Sequence, residues 1–91
     1  MKLYKSFDIW KKTAEDELVR YRCFEILSSG QFCVQCADFF QYPPDQTQNQ
    51  FLTEQFYEFL LDEDPDKRSK TFASIEEAIK NYDAEFGSPE I

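Results

Sequence analysis

An α+β fold, with a small antiparallel sheet over residues ~3–40 followed by two C-terminal helices packed on one face of it, is predicted by three features of the sequence. Two runs rich in β-branched and aromatic residues, LVRYRCFEIL (18–27) and QFCVQCADFF (31–40), flank Ser28-Ser29-Gly30. Glycine at the end of such a loop suits a β-hairpin that needs one residue with positive φ. Leu52, Phe56, Phe59 and Leu60 then fall at i, i+4, i+7 and i+8, the spacing of one apolar helical stripe. Finally, Ser74-Ile75-Glu76-Glu77 has the form of a capping box, and Ile75, Ala78, Ile79, Tyr82 and Phe86 continue it as a second stripe.

At the N-terminus, Leu3, Phe7 and Ile9 fall at odd positions among polar neighbours, which fits a strand. A helical stripe through Phe7, Trp10, Ala14 and Leu18 competes; the strand reading is preferred. Residues 13–17 then connect this strand to the central hairpin, making a three-stranded meander in place of a lone hairpin. In the hairpin, a three-residue loop sets Arg20 opposite Asp38, Phe24 opposite Val34 and Ile26 opposite Phe32. Opposite charges and large apolar pairs then meet across the strands. One face would carry Leu18, Phe24, Ile26, Phe32, Val34 and Phe40, interrupted by Arg20, Arg22 and Asp38.

Residues 41–50, QYPPDQTQNQ, contain two prolines. Proline lacks the ladder donor, so an extended loop is expected there. The first helix is expected over residues 51–63, capped by Asn49 or Thr53, and ended by the run Asp62-Glu63-Asp64-Pro65-Asp66. Residues 66–70 read as a charged, exposed loop and Thr71-Phe72-Ala73 as a short extended segment. The second helix should stop at Gly87, with Pro89 behind it.

A chain of 91 residues is expected to form a single domain, 1–91, able to bury about two-thirds of its unfolded surface. Aromatic residues are 18% of it, more than one small core needs, so some aromatic surface is expected to remain for a partner. Net charge is −8. Residues 1–48 carry six basic and seven acidic side chains, residues 49–91 four and eleven. That field repels phosphate backbones and argues against nucleic-acid binding. It serves as a solvated helical face or as a surface for a basic partner. With no long apolar run and no signal-like h-region, the expected location is cytoplasmic, away from membranes. Three cysteines, an odd number, fit free thiols in a reducing compartment.

Cys33-Val34-Gln35-Cys36 has the C-x-x-C spacing, and with Cys23 it supplies the alternative reading, a cysteine-based metal or redox protein. Against it, a strand of strict period two points positions 33 and 36 to opposite faces, and the chain has no histidine. That lack also removes the imidazole base of the common catalytic triads. Asp62, Glu63, Asp64 and Asp66 crowd a helix end where solvent should keep them ionised, so no acid catalyst is expected among them. No cofactor, metal site or catalytic residue is assigned. The leading expectation is a small acidic interaction or regulatory module without catalysis, one form of it an inhibitor or immunity-type protein against a basic partner. The binding candidates are Trp10, Phe39 and Tyr42 as aromatic anchors and Glu76 and Asp83 as acidic contacts. A sheet edge offers a possible homodimer contact.

Overall fold

The computed structural model describes residues 2–41, 43 and 45–86. Its elements are β1 (Tyr4–Ala14), β2 (Glu17–Ile26), β3 (Gln31–Gln41), α1 (Gln46–Asp62), α2 (Pro65–Arg68) and α3 (Ile75–Phe86). The strands form one antiparallel sheet in the order β1-β2-β3, and the helices follow, an α+β fold. The expected meander is present, with Glu15 and Asp16 at its first turn. Central β2 is buried from Val19 to Phe24, whereas β1 alternates half-buried and exposed positions along most of its length. Leu3, which the alternation groups with Phe7 and Ile9, precedes the strand and is exposed.

The hairpin register agrees with the expected one only at its outer half, where Arg20 faces Asp38. Near the turn Phe24 faces Cys33, Cys23 faces Val34 and Ile26 faces Gln31. The loop takes four residues, Leu27 to Gly30, not three; Gly30 N–H donates to Ile26 O at 2.8 Å, and Gly30 has φ +70°. A bulge then absorbs the offset: Arg22 faces Cys36 while Cys23 faces Val34, leaving Gln35 as the extra residue. This irregularity inverts the alternation of residues 31–34 relative to 36–41. Val34 therefore joins Val19, Tyr21 and Cys23 on one face, and Cys33 joins Phe24 and Ile26 on the other.

The helices divide between those faces, which corrects the expectation that both share one. Ala78 of α3 packs with Val19, Tyr21, Cys23 and Val34, and Phe7, Ile9, Ile75, Ile79 and Tyr82 surround them. Phe56 of α1 packs with Phe24, Ile26 and Cys33, flanked by Tyr4 and Leu60. β2 presents apolar residues on both sides, so a single helical layer would leave one side wet.

α1 begins five residues before its expected start. The Asp45 side chain caps it, accepting from Thr47 N–H at 2.9 Å and Gln48 N–H at 3.1 Å. Residues 46–50 are thus helical, not loop: apart from Asn49 they are exposed, which their polarity reflects, and glutamine is a good helix former. Where an exposed loop was expected, α2 forms one turn with Pro65 at its start. Asp66 there accepts from Lys2 Nζ at 2.6 Å and from the Tyr4 hydroxyl at 2.9 Å. These bonds hold its carboxyl below the usual range and raise the Lys2 ammonium. The extended segment at Phe72 forms two 2.8 Å backbone bonds with Phe32. The Ser74 hydroxyl caps α3 by accepting from Glu77 N–H at 3.2 Å, as expected. The proposed stop at Gly87 and Pro89 lies outside the described residues.

Phe24 stacks on Phe56 at 5.4 Å with the rings 8° apart. Phe24→Ala should cost about 3–5 kcal/mol in urea unfolding. Gly30→Ala meets no atom within 4 Å, so only its positive φ opposes the side chain and the same measurement should show about 1–2 kcal/mol.

Candidate functional site

The face of the sheet toward α1 carries a buried polar cluster. Arg20, Arg22 and Asp38 are all buried. One oxygen, Asp38 Oδ2, accepts from Arg20 Nε at 3.0 Å, Arg20 Nη2 at 2.7 Å and Arg22 Nε at 3.1 Å. Arg20 Nη1 donates to Asn49 Oδ1 at 3.1 Å, and Arg22 Nη2 to Thr53 Oγ1 at 3.0 Å. Asn49 and Thr53, expected as caps, are therefore the docking groups of α1. Aromatic faces take the remaining charge: Arg20 lies 4.8 Å from the Phe40 ring centre and 5.7 Å from that of Trp10, and Arg22 lies 4.9 Å from that of Phe56. Asp38 is a buried carboxylate whose Oδ2 is committed to the two guanidinium groups.

Beside this cluster a cleft of about 320 Å³ opens between the sheet and the start of α1, lined by Trp10, Leu18, Arg20, Phe40, Asp45 and Asn49. Leu18 and Phe40 also line an adjoining hollow of about 510 Å³ at the β1–β2 turn. Leu18, grouped from sequence with Phe24 and Ile26 on one face, is exposed here. Trp10 is exposed, with its ring 6.0 Å from Phe40.

The sequence-derived binding residues do not form one site. Trp10 pairs with Arg20 and so faces α1. Phe39, also exposed, pairs with Val19 and faces the opposite side. Tyr42 lies outside the described residues. Glu76 is exposed on α3. Asp83 is half-buried and structural: it accepts from the Tyr21 hydroxyl at 2.9 Å and lies 3.7 Å from Lys11 Nζ, so it is not a free acidic contact.

Sequence reasoning missed Phe51, Tyr57 and Leu61. All are exposed on α1; Phe51 and Leu61 point away from the stripe of Asn49, Thr53, Phe56 and Leu60, and Tyr57 flanks it with its ring 6.0 Å from that of Phe56. The signal was present: α1 contains seven large apolar side chains between Phe51 and Leu61, and one stripe accommodates about half of them.

The cysteines behave as small hydrophobes. The bulge places Cys33 and Cys36 on the same face, correcting the strict alternation expected, while Cys23 lies on the other. Among the described residues, no three Cys, Asp or Glu side chains are grouped to hold a metal ion. Burial pushes the Cys23 thiol up to about 12, reinforced by the nearby Asp8 carboxylate, and the Cys33 and Cys36 thiols up to about 11. Reactive thiols require the opposite shift.

Asp38→Asn leaves two buried cations without their shared anion and should cost about 3–5 kcal/mol in urea unfolding. The thiols give a pH dependence of known sign. Their folded values exceed the unfolded value of about 8.5, so their stabilising contribution is complete below that pH. Stability should fall as pH rises from there toward about 11–12. Urea midpoints across the alkaline range, compared with those of a triple Cys→Ala variant, isolate the effect.

Among the described residues no helix is long and apolar enough to cross a membrane. No protein-family model, curated protein or solved structure matches this chain.

Proposed function

We propose that this protein is a small cytoplasmic interaction module, without catalysis of its own, that docks on a basic protein; an inhibitor of such a partner is one form of that role. The observation supporting it is how charge is divided. Lys2 pairs with Asp66, Lys11 with Asp83, and Arg20 and Arg22 with Asp38. Arg68 lies over the Phe59 ring at 4.1 Å. Five of the ten cations are engaged in these contacts, while Glu54, Glu58, Asp62, Glu76, Glu77 and Glu85 are exposed and make no ion pair among the described residues. The surface field of the helical half is therefore negative, and it favours encounter with a positive partner.

Sheet-edge pairing with a second copy forms no part of this reading. β1 carries Lys5, Lys11 and Lys12 and a register shift between Lys12 and Ala14, features that discourage edge association. Phe72 already occupies part of the β3 edge.

Affinity capture from source-cell lysate tests the reading. A basic protein should be retained at low salt, released at high salt, and lost from a Glu58→Lys/Glu76→Lys variant. A partner held equally well under all three conditions would rule out the acidic-surface mechanism.

A further inference from the structure

The outer face of α1 combines features that ordinary exposed helices avoid. Leu61 is 88% exposed, Phe51 62% and Tyr57 56%. Glu54, Glu58 and Asp62 recur at i, i+4 and i+8 among them, and α1 contains no lysine or arginine. Like charges four residues apart repel, and Asp62 sits at the negative end of the helix dipole. Three large apolar side chains remain in water although the inner stripe already covers the sheet. A basic, apolar partner removes all three penalties at once.

We infer that the outer face of α1, formed by Phe51, Glu54, Tyr57, Glu58, Leu61 and Asp62, is a docking surface for a basic amphipathic helix of another protein. The inference rests on the docking reading above and specifies its contact surface and the partner's chemistry. Two columns follow from helical spacing. Glu54, Tyr57 and Leu61 lie at i, i+3 and i+7; Phe51, Glu58 and Asp62 lie at i, i+7 and i+11. Together they form a strip of about three turns, long enough to receive apolar residues at i, i+3, i+4 and i+7 of a facing helix. Lysine or arginine flanking those residues meets the three carboxylates. A second copy of α1 is a poor occupant, because it brings the same three negative charges.

The test is an amide-shift NMR titration of the full chain with a synthetic helical Leu/Lys peptide. Two further peptides serve as controls: one of the same composition with the helical period scrambled, and one with Ser in place of Leu. Shifts should concentrate in residues 51–62, with the amphipathic peptide binding most tightly. Leu61→Ser should weaken it about tenfold, whereas Trp10→Ser should leave affinity unchanged. Thermal unfolding of both variants confirms that each is folded. Shifts centred on α3 or on the Trp10 cleft would overturn this assignment while sparing the wider docking reading. An unchanged affinity in Leu61→Ser, or equal binding of the Leu/Lys and Ser/Lys peptides, would also overturn it. Absence of binding by every basic peptide at low salt would overturn both.

Discussion

Asp38 Oδ2 is the atom on which the two layers of the α1 side depend. It accepts hydrogen bonds from both Arg20 and Arg22, and the outer nitrogens of those guanidinium groups reach Asn49 and Thr53 on successive turns of α1. Burying two cations with one anion carries a desolvation cost, tolerable only where hydrogen bonds and aromatic faces replace water. That requirement fixes the roll of the helix. With Asn49 and Thr53 over the arginines, Phe56 and Leu60 fall over Phe24 and Ile26, completing one stripe whose first half is polar and second half apolar. The sheet beneath has the same order, Arg20 and Arg22 before Phe24 and Ile26. Rolled this way, α1 can only turn Phe51, Tyr57 and Leu61 outward. The unusual surface is thus a geometric consequence of the buried ion cluster.

The same economy of positive charge joins distant parts of the chain. Lys2 and Tyr4 at the start of β1 meet Asp66, and Lys11 and Tyr21 meet Asp83 of α3. Each contact spans more than sixty positions of sequence and ties the N-terminal sheet to a helical segment. Most of these pairs are partly exposed and contribute little individually. Their larger effect is on the surface field, since the basic groups they engage no longer offset the carboxylates of α1 and α3.

Much of the fold was legible because it is written in local pattern. The three strands, the left-handed Gly30, the Ser74 cap and the Ile75–Tyr82 stripe all follow from spacing within a few residues. Arg20 opposite Asp38 was legible from charge alone. The division of helices between two faces was not, because it turns on a single extra residue, Gln35. A bulge leaves no periodic mark of its own, yet it decides whether Val34 or Cys33 joins Phe24. The early start of α1 was hidden for another reason: its first turn carries no apolar residue, and Asn49 and Thr53 bury against cations rather than against the core. Of the residues named as binding candidates, Trp10, Phe39 and Glu76 are exposed; Asp83 is half-buried, and its partner Tyr21, 62 residues away, left no mark in the local pattern.

α3 provides an internal comparison for α1. It places Ile75, Ala78, Ile79 and Tyr82 against the sheet and Glu76, Glu77 and Lys80 toward solvent, with Glu76 and Lys80 in the favourable i, i+4 order. Even its exposed Phe86 rests on Tyr82 at 4.7 Å. α3 thus leaves one large apolar side chain, Phe86, exposed where α1 leaves three, under the same solvent and within the same chain. General pressure for acidity cannot produce that contrast, because acidity alone would have replaced Leu61 and Phe51 along with their neighbours. A local rule broken three times in one helix and once in the other points to a requirement on the α1 face which the folded chain alone does not impose.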